Sequence, residues 1–190
     1  MTTTAHSERT VNGVNVEALA RTIDAVKASP GIATFRFRLR NEWIGGGHNR
    51  SEITSFYGAH AETPHARPFT LDADEPPVLL GGDAGPNPVE YLLKGLAACV
   101  TTSLVYHAAA RGITIEEVEV SVEGDLDLRG FLGLDPTVRN GYERITMHYR
   151  IKADVPDAEL SQLVQLGPMF SPVFDSVTKG VPVVVTAARM

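Results

Sequence analysis

Two periodicities trade places along the chain. From Val14 to Ala28 apolar residues recur at Val16, Leu19, Ala20, Ile23 and Val26, the three-and-four spacing that lays one stripe along a helix, and Pro30-Gly31 stops it. From Thr34 to Trp43 the period falls to two: Phe35, Phe37 and Leu39 point one way and Arg36, Arg38 and Arg40 the other. That alternation predicts a strand with one apolar and one basic face. Gly45-Gly46-Gly47 turns the chain, and Arg50 to Tyr57 reads as the partner strand of a hairpin. Between Gly58 and Pro88 the chain is rich in Pro, Gly, Asp and His, with one short apolar piece at Val78-Leu79-Leu80. A long loop is expected there, and loops of that length carry function or cover something.

The following helix has well-marked ends. Asn87 supplies a cap, Pro88 suits the first turn, Glu90 stands at capping-box spacing and Gly112 is a C-terminal stop. Between them the helix is apolar nearly all the way round, so it needs cover on several sides, from its own sheet and from a second chain. Alternation returns at Val118, Val120 and Val122 within Glu117 to Leu126, and at Ile145, Met147, Tyr149 and Ile151 within Arg144 to Ile151. Both predict strands with one buried face, joined by a loop or bulged connection over Arg129 to Tyr142. A helix is expected over Asp157 to Leu166, a short segment from Ser171-Pro172 to Gly180, and a closing strand over Val181 to Ala188. Strands and helices arrive in blocks, which predicts an α+β fold. There is no internal repeat or low-complexity tract.

Residues 1–12 read as a polar tail without the apolar segment of a secretory signal. At 190 residues the chain can bury one core. A net charge of −6 argues against a nucleic-acid surface. The uncharged run Gly95 to Ala110 is shorter than the ~20 residues of a membrane span and holds Thr101, Thr102, Ser103 and His107, so a buried helix is expected and no membrane partner. A single cysteine excludes an intrachain disulfide and a cysteine-cluster metal site, and fits a cytoplasmic protein.

That cysteine, Cys99, is the first chemical candidate. On a helix advancing ~100° per residue, Ser103 lies about 40° from it, Tyr106 about 20° and His107 about 80°. It is either a small residue that lets a neighbouring helix approach or a reactive thiol beside a hydroxyl and a phenol. Glu90, nine residues earlier, projects about 180° away and ~13 Å down the axis, which favours a capping role. Arg50 follows the glycine turn; near a thiol it would stabilise the thiolate, and otherwise it is a solvated hairpin arginine. His60, Glu62 and His65 have no helical metal spacing because Pro64 intervenes, so no metal site is expected. Gly81-Gly82-Asp83-Ala84-Gly85 lacks the lysine of a phosphate loop, and no cofactor is expected. A hydrolase using Ser171 or Ser103 lacks a histidine–acid pair at a helpful spacing.

The run Asn87-Pro88-Val89-Glu90-Tyr91-Leu92-Leu93 to Ala97-Ala98-Cys99, followed by Ala108–Gly112, Ile113 and a valine-alternating strand, resembles the OsmC family. That family includes the osmotically inducible protein C and the organic hydroperoxide resistance proteins. Ser171-Pro172-Val173-Phe174 to Thr178-Lys179-Gly180-Val181-Pro182 resembles its second motif. The likeness runs over residues 32–188, which sets 1–31 apart as a tail and extra helix and leaves 32–190 as an OsmC-like domain. It implies an intertwined homodimer in which two central helices are wrapped by antiparallel sheets. It also implies thiol peroxidase chemistry at the dimer interface: Cys99 matches the peroxide-attacking thiol, and an Arg–Glu pair, here matched to Arg50 and Glu90, lowers its pKa and polarises the peroxide.

Two departures stand out. Ser171 occupies the place of the second, disulfide-forming cysteine, and Val89 stands ten residues before Cys99, where the hydroperoxide resistance proteins carry their glutamate. The expected function is reduction of organic hydroperoxides through Cys99 by an external thiol, with Ser171, Ser103 and Tyr106 lining the site. The alternative is a non-catalytic protein that binds a small apolar ligand in the interface pocket.

Overall fold

The computed structural model describes residues 9–189. The described residues divide into two compact units: one is Asn15–Leu92 with residues 9–10, the other residues 93–189 with Val11–Val14. Two-residue strands β1 (Thr10–Val11) and β2 (Val14–Asn15) precede the first helix.

In the first unit, helix α1 (Val16–Ala28) starts where the Asn15 side chain accepts a hydrogen bond from the Ala18 amide at 2.8 Å. A 3-10 turn at Pro30–Ala33 follows. The predicted strand over Thr34 to Trp43 forms as two pieces, β3 (Arg36–Phe37) and β4 (Arg40–Gly45), both paired antiparallel with one edge of β5 (His48–Gly58).

The other edge of β5 pairs with β6 (Ala61–Ala73), and this corrects the reading of Gly58 to Pro88 as a single loop. The register steps from Ile53↔Phe69 to Ser55↔Pro64, so residues 65–68 bulge out of the ladder. Pro64 and Pro68 are accommodated because β6 lies at an edge, where a missing donor costs no ladder bond on its open side. Phe35, Phe37 and Phe56 cluster on one sheet face with ring centroids 5.8–6.2 Å apart, and His65 sits 5.5 Å from Phe56 and 5.1 Å from Phe69. Gly58 makes room for this packing, since any side chain there would collide with the Phe35 ring. The face stays open to solvent: Phe37 is 74% exposed and Leu39 61%.

The loop proper spans residues 74–87 and is held from inside. Asp74, 3% exposed, accepts hydrogen bonds from the amides of Glu75 (2.8 Å), Gly82 (3.0 Å) and Ala84 (3.2 Å). The loop delivers the chain to helix α2 (Pro88–Ala110). Its cap forms as the spacing predicts: Asn87 Oδ1 accepts from the Val89 amide at 3.1 Å, and Glu90 Oε2 accepts from the Asn87 amide at 2.8 Å.

In the second unit α2 continues to Ala110, and Gly112, at φ +74°, turns the chain out while the Ile113 amide bonds back to the Ala108 carbonyl. Strands β7 (Ile115–Asp125) and β8 (Arg144–Ala153) form an antiparallel pair with Val118↔Ile151, Val120↔Tyr149 and Val122↔Met147 in register. Their connection holds a one-turn helix, α3 (Leu128–Phe131), capped by Asp127. Helix α4 (Asp157–Phe170) runs a turn further than predicted, and α5 (Pro172–Lys179) follows. Gly167 of α4 lies against Val100 of α2. Residues 1–12 do not all form a tail: Asn12 donates to the Ile113 carbonyl at 2.9 Å and accepts from the Ile115 amide at 2.8 Å. Residues 1–8 of that expectation lie outside the described residues.

Two further expectations need correction. Val181 to Ala188 carries strand-forming residues but is in no sheet, and Val183, Val184 and Val185 are at least 80% exposed. A strand exists only by pairing its amides and carbonyls with a neighbour, and the described chain presents none to this segment. Helix α2, expected to be covered on several sides, buries one stripe at Leu96, Val100, Leu104 and Ala108, with Ala109 beside it. Leu92 and Tyr106 remain exposed. By length and hydropathy α2 also meets the criterion for a membrane span, a test that core helices of soluble proteins pass as well.

Candidate functional site

Cys99 is a free thiol, half-buried, one residue before the buried Val100. One turn on, Ser103 Oγ donates to the Phe170 carbonyl at 3.3 Å. A further turn on, the His107 ring stacks on the Phe170 ring at 3.8 Å and 18°. Burial, helped by the Arg111 charge, lowers the His107 pKa, which keeps the imidazole neutral at neutral pH. Tyr106 is exposed beside this row. From β8 the Tyr149 hydroxyl is buried with no hydrogen-bond partner among the described residues. Burial raises its pKa, only partly offset by the nearby Thr101 hydroxyl.

Ser171 is 2% exposed, and its Oγ accepts from the Phe174 amide at 3.1 Å to cap α5. The residue standing in place of a second cysteine is therefore a helix cap with its oxygen already engaged. Ser103 and Ser171 frame Phe170, whose carbonyl and ring tie the cysteine-bearing helix to the end of α4.

Arg50 and Glu90, in the other unit, each have a local partner. Glu90 is committed to the α2 cap. Arg50 Nε donates to Asp72 Oδ1 at 2.9 Å, and His48 Nε2 lies 2.7 Å from the same oxygen. Hydrogen bonds from His48 and then Arg50 hold the Asp72 carboxyl below the usual aspartate range, against an opposing effect of burial. Asp72 and His48 escaped the sequence reading because Asp72 lies in the strand that was read as loop. Only the β5–β6 register, Arg50↔Asp72, brings them together.

His60 occupies the β5–β6 turn at φ +63°, Glu62 pairs with Arg38, and His65 sits among aromatic rings, so the three do not converge. Among the described residues no group of three or more His, Cys, Asp or Glu is placed to hold a metal ion. What remains chemically is a half-buried thiol beside the buried stripe of α2, next to hydroxyls, and a separately held guanidinium.

Residues 81–186 match the model of the OsmC-like protein family. No curated protein matches the sequence. Among solved structures, an OsmC-like protein from Mycoplasma pneumoniae superposes with a TM-score of 0.57 at 20% identity, over 77% of this chain and 89% of that one. An organic hydroperoxide resistance protein OsmC from Legionella pneumophila gives 0.54 at 20% identity, over 76% and 91%. An OsmC-like protein of unknown function from Vibrio cholerae gives 0.57 at 12% identity, over 75% and 94%. At these identities the likeness is one of fold.

Proposed function

The chain belongs to the OsmC-like protein family, and from that premise we propose that it is a thiol-dependent peroxidase that reduces organic hydroperoxides through Cys99. The observation that carries this reading is the single free thiol, accessible on α2 at the family's cysteine position, while Ser171 is engaged as a cap. The Cys99 thiolate attacks the terminal peroxide oxygen, the O–O bond breaks, and the alkoxide leaves and takes up a proton as the alcohol. Cys99 is thereby oxidised to a sulfenic acid. One external thiol condenses with it, releasing water and leaving a mixed disulfide. A second displaces the Cys99 thiolate and carries away the disulfide. Arg50 is assigned to stabilise the thiolate and the developing oxygen charge, with Ser103 and Tyr106 lining the approach. The protein acts as a cytoplasmic homodimer of the domain 32–190, and the bare faces of α2 and of the Phe35–Phe37 sheet support that assembly.

A second reading is favoured by one observation. An apolar groove of about 480 Å³, lined by Phe37, Leu39, Ile53, His65 and Phe69 among others, is suited to holding a small apolar ligand without chemistry.

Single-turnover consumption of an organic hydroperoxide by the reduced protein, followed by mass analysis of Cys99, separates the two. Loss of peroxide well above the free-thiol rate, with sulfenic or mixed-disulfide Cys99 and no such activity in Cys99→Ser, is the expected result. A rate no faster than free thiol rejects the peroxidase and leaves the binding protein.

A further inference from the structure

The resemblance gives the arginine a glutamate partner, but both glutamate positions are unsuited here. Residue 89 is valine, and the Glu90 carboxylate accepts the Asn87 amide at the head of α2. The structure nevertheless provides a carboxylate for Arg50. We infer that Asp72 is the positioning residue of Arg50, with His48 as the second donor on the same oxygen, so that His48, Asp72 and Arg50 form one orienting unit. This rests on the peroxidase reading of Arg50 and says which group aims it.

Three features set the pair apart from an ordinary exposed ion pair, which contributes little. First, the backbone dictates it. Arg50 stands opposite Asp72 in the β5–β6 ladder and opposite Glu42 in the β4–β5 ladder, so all three share a sheet face, and the guanidinium Nε bonds to Asp72. Second, both donors meet at one atom: His48 Nε2 at 2.7 Å and Arg50 Nε at 2.9 Å from Asp72 Oδ1. A charge-assisted bond of this kind fixes direction as well as charge.

Third, Asp72 itself is clamped. Its carbonyl accepts the Tyr91 hydroxyl at 2.6 Å, and Gly85 packs so close to that carbonyl that a side chain there would collide with it. Tyr91 is in the first turn of α2, so the residue that holds Arg50 is tied directly to the start of the cysteine-bearing helix. Asp74 and Glu75 complete the charged surroundings, lying against Gly47, the residue before His48. With Nε occupied, the terminal amino groups of Arg50 keep donors for a substrate oxygen or a thiolate.

The experiment measures two rates on the full chain across pH 5–9: single-turnover reduction of cumene hydroperoxide, and alkylation of Cys99 by iodoacetamide. The variants are Asp72→Asn, Asp72→Glu and Arg50→Lys, with Asp127→Asn as a control that removes a surface carboxylate paired to a different arginine. Asp72→Asn is expected to slow peroxide reduction about tenfold, the effect of one mis-aimed charge-assisted bond. Asp72→Glu restores a carboxylate and at least half of the lost rate, whereas Asp127→Asn leaves the rate within twofold. Iodoacetamide carries no peroxide oxygen for Arg50 to be aimed at, so the Asp72→Asn alkylation rate at pH 9 stays within twofold. Full activity in Asp72→Asn with a large loss in Arg50→Lys overturns the assignment of Asp72 while leaving the peroxidase intact. Full activity in Arg50→Lys removes the premise, and the assignment with it. A loss in Asp72→Asn that Asp72→Glu does not restore, with alkylation changed in parallel, makes Asp72 a purely structural residue and also overturns the inference.

Discussion

Replacing Gly167 with alanine tests how tightly α4 holds the cysteine-bearing helix. Two opposed effects decide the sign. Alanine in a helix interior is favoured over glycine by about 1 kcal/mol. Against this, a Cβ at position 167 would lie 2.7 Å from Val100 Cγ1, 2.9 Å from the Val100 carbonyl oxygen and 3.6 Å from Leu104 Cβ. Val100 is 1% exposed and Leu104 fully buried, so the valine methyl has no free volume to enter, and the oxygen belongs to helix backbone that cannot rotate away. Overpacking of such a contact costs ~1–3 kcal/mol. The strain therefore exceeds the propensity gain, and Gly167→Ala is expected to lose about 1 kcal/mol, a fall in Tm of roughly 3 °C for a chain of this size. The assay is thermal denaturation at fixed protomer concentration, because a self-associating protein has a concentration-dependent Tm. Trimming the partner supplies the second half: in Val100→Ala/Gly167→Ala the methyl clash is gone, so the pair is expected to be at least 0.5 kcal/mol more stable than the sum of the single changes. A Gly167→Ala Tm that rises by 2–4 °C would refute the reasoning, since helix propensity would then act alone and α4 would not press on Val100.

Two more consequences concern the loop and the bare helix face. Hydrogen bonds from Ala84 first, with Glu75 and Gly82, and the charge of His48 lower the Asp74 pKa against the opposing effect of burial. A depressed carboxyl contributes stability that is present above its ordinary value of 3.8 and is lost as pH falls through the lowered value. Asp74→Asn is therefore expected to be less stable than the parent at pH 7, with the gap closing below pH ~3.8. Denaturation midpoints from pH 2 to 7 measure it, and a gap that does not change with pH excludes the ionised carboxylate as its source. Gly95 of α2 has nothing within 4 Å of the position a Cβ would take. In the proposed homodimer this open stripe meets the second copy, so Gly95→Leu raises the dimer Kd at least tenfold in sedimentation equilibrium while helical circular dichroism is kept. An unchanged Kd removes this face of α2 from the interface.

What the sequence disclosed and what it concealed follow the range of the interactions involved. The start of α2 was legible because Asn87, Pro88 and Glu90 act within one turn, and the structure forms that cap from the same residues. The start of α5 at Ser171-Pro172 was legible for the same reason, and in the structure the Ser171 side chain caps it. Strand β6 was not. Pro64, Pro68 and the polar residues around them argue locally for a loop, and only pairing along β5 with a four-residue bulge overrides them. That error hid Asp72, because a residue assigned to a loop has no register and no partner. Val181 to Val185 shows the converse. Its composition is that of a strand, but pairing requires a second backbone that its own described chain does not supply.

The surfaces left unmatched in one chain bear on the assembly. Phe35, Phe37 and Leu39 leave one sheet face open, α2 shows Leu92 and Tyr106 beside its single buried stripe, and Val183, Val184 and Val185 are exposed and in no sheet. These are complementary in kind: an apolar helix face fits an apolar sheet face, and a free strand fits a sheet edge. Fully burying a side chain of this type gains ~1.5–3 kcal/mol. Weighted by the 50–87% of each side chain that one chain leaves exposed, Phe35, Phe37, Leu39 and the three valines in both copies of a homodimer give about 13 kcal/mol at the low end. The cost of association is ~4–15 kcal/mol before side-chain ordering. The apolar gain alone thus covers all but the top of that range, and the backbone bonds of the valine segment add to it. A polar substitution such as Phe37→Asp reverses the sign locally, because it places a charge where that gain was to be made. It is therefore expected to give a monomer in which Cys99 stays alkylable while peroxide reduction is lost. A dimer that survives it with full activity would mean that the aromatic sheet face is not where the two copies meet.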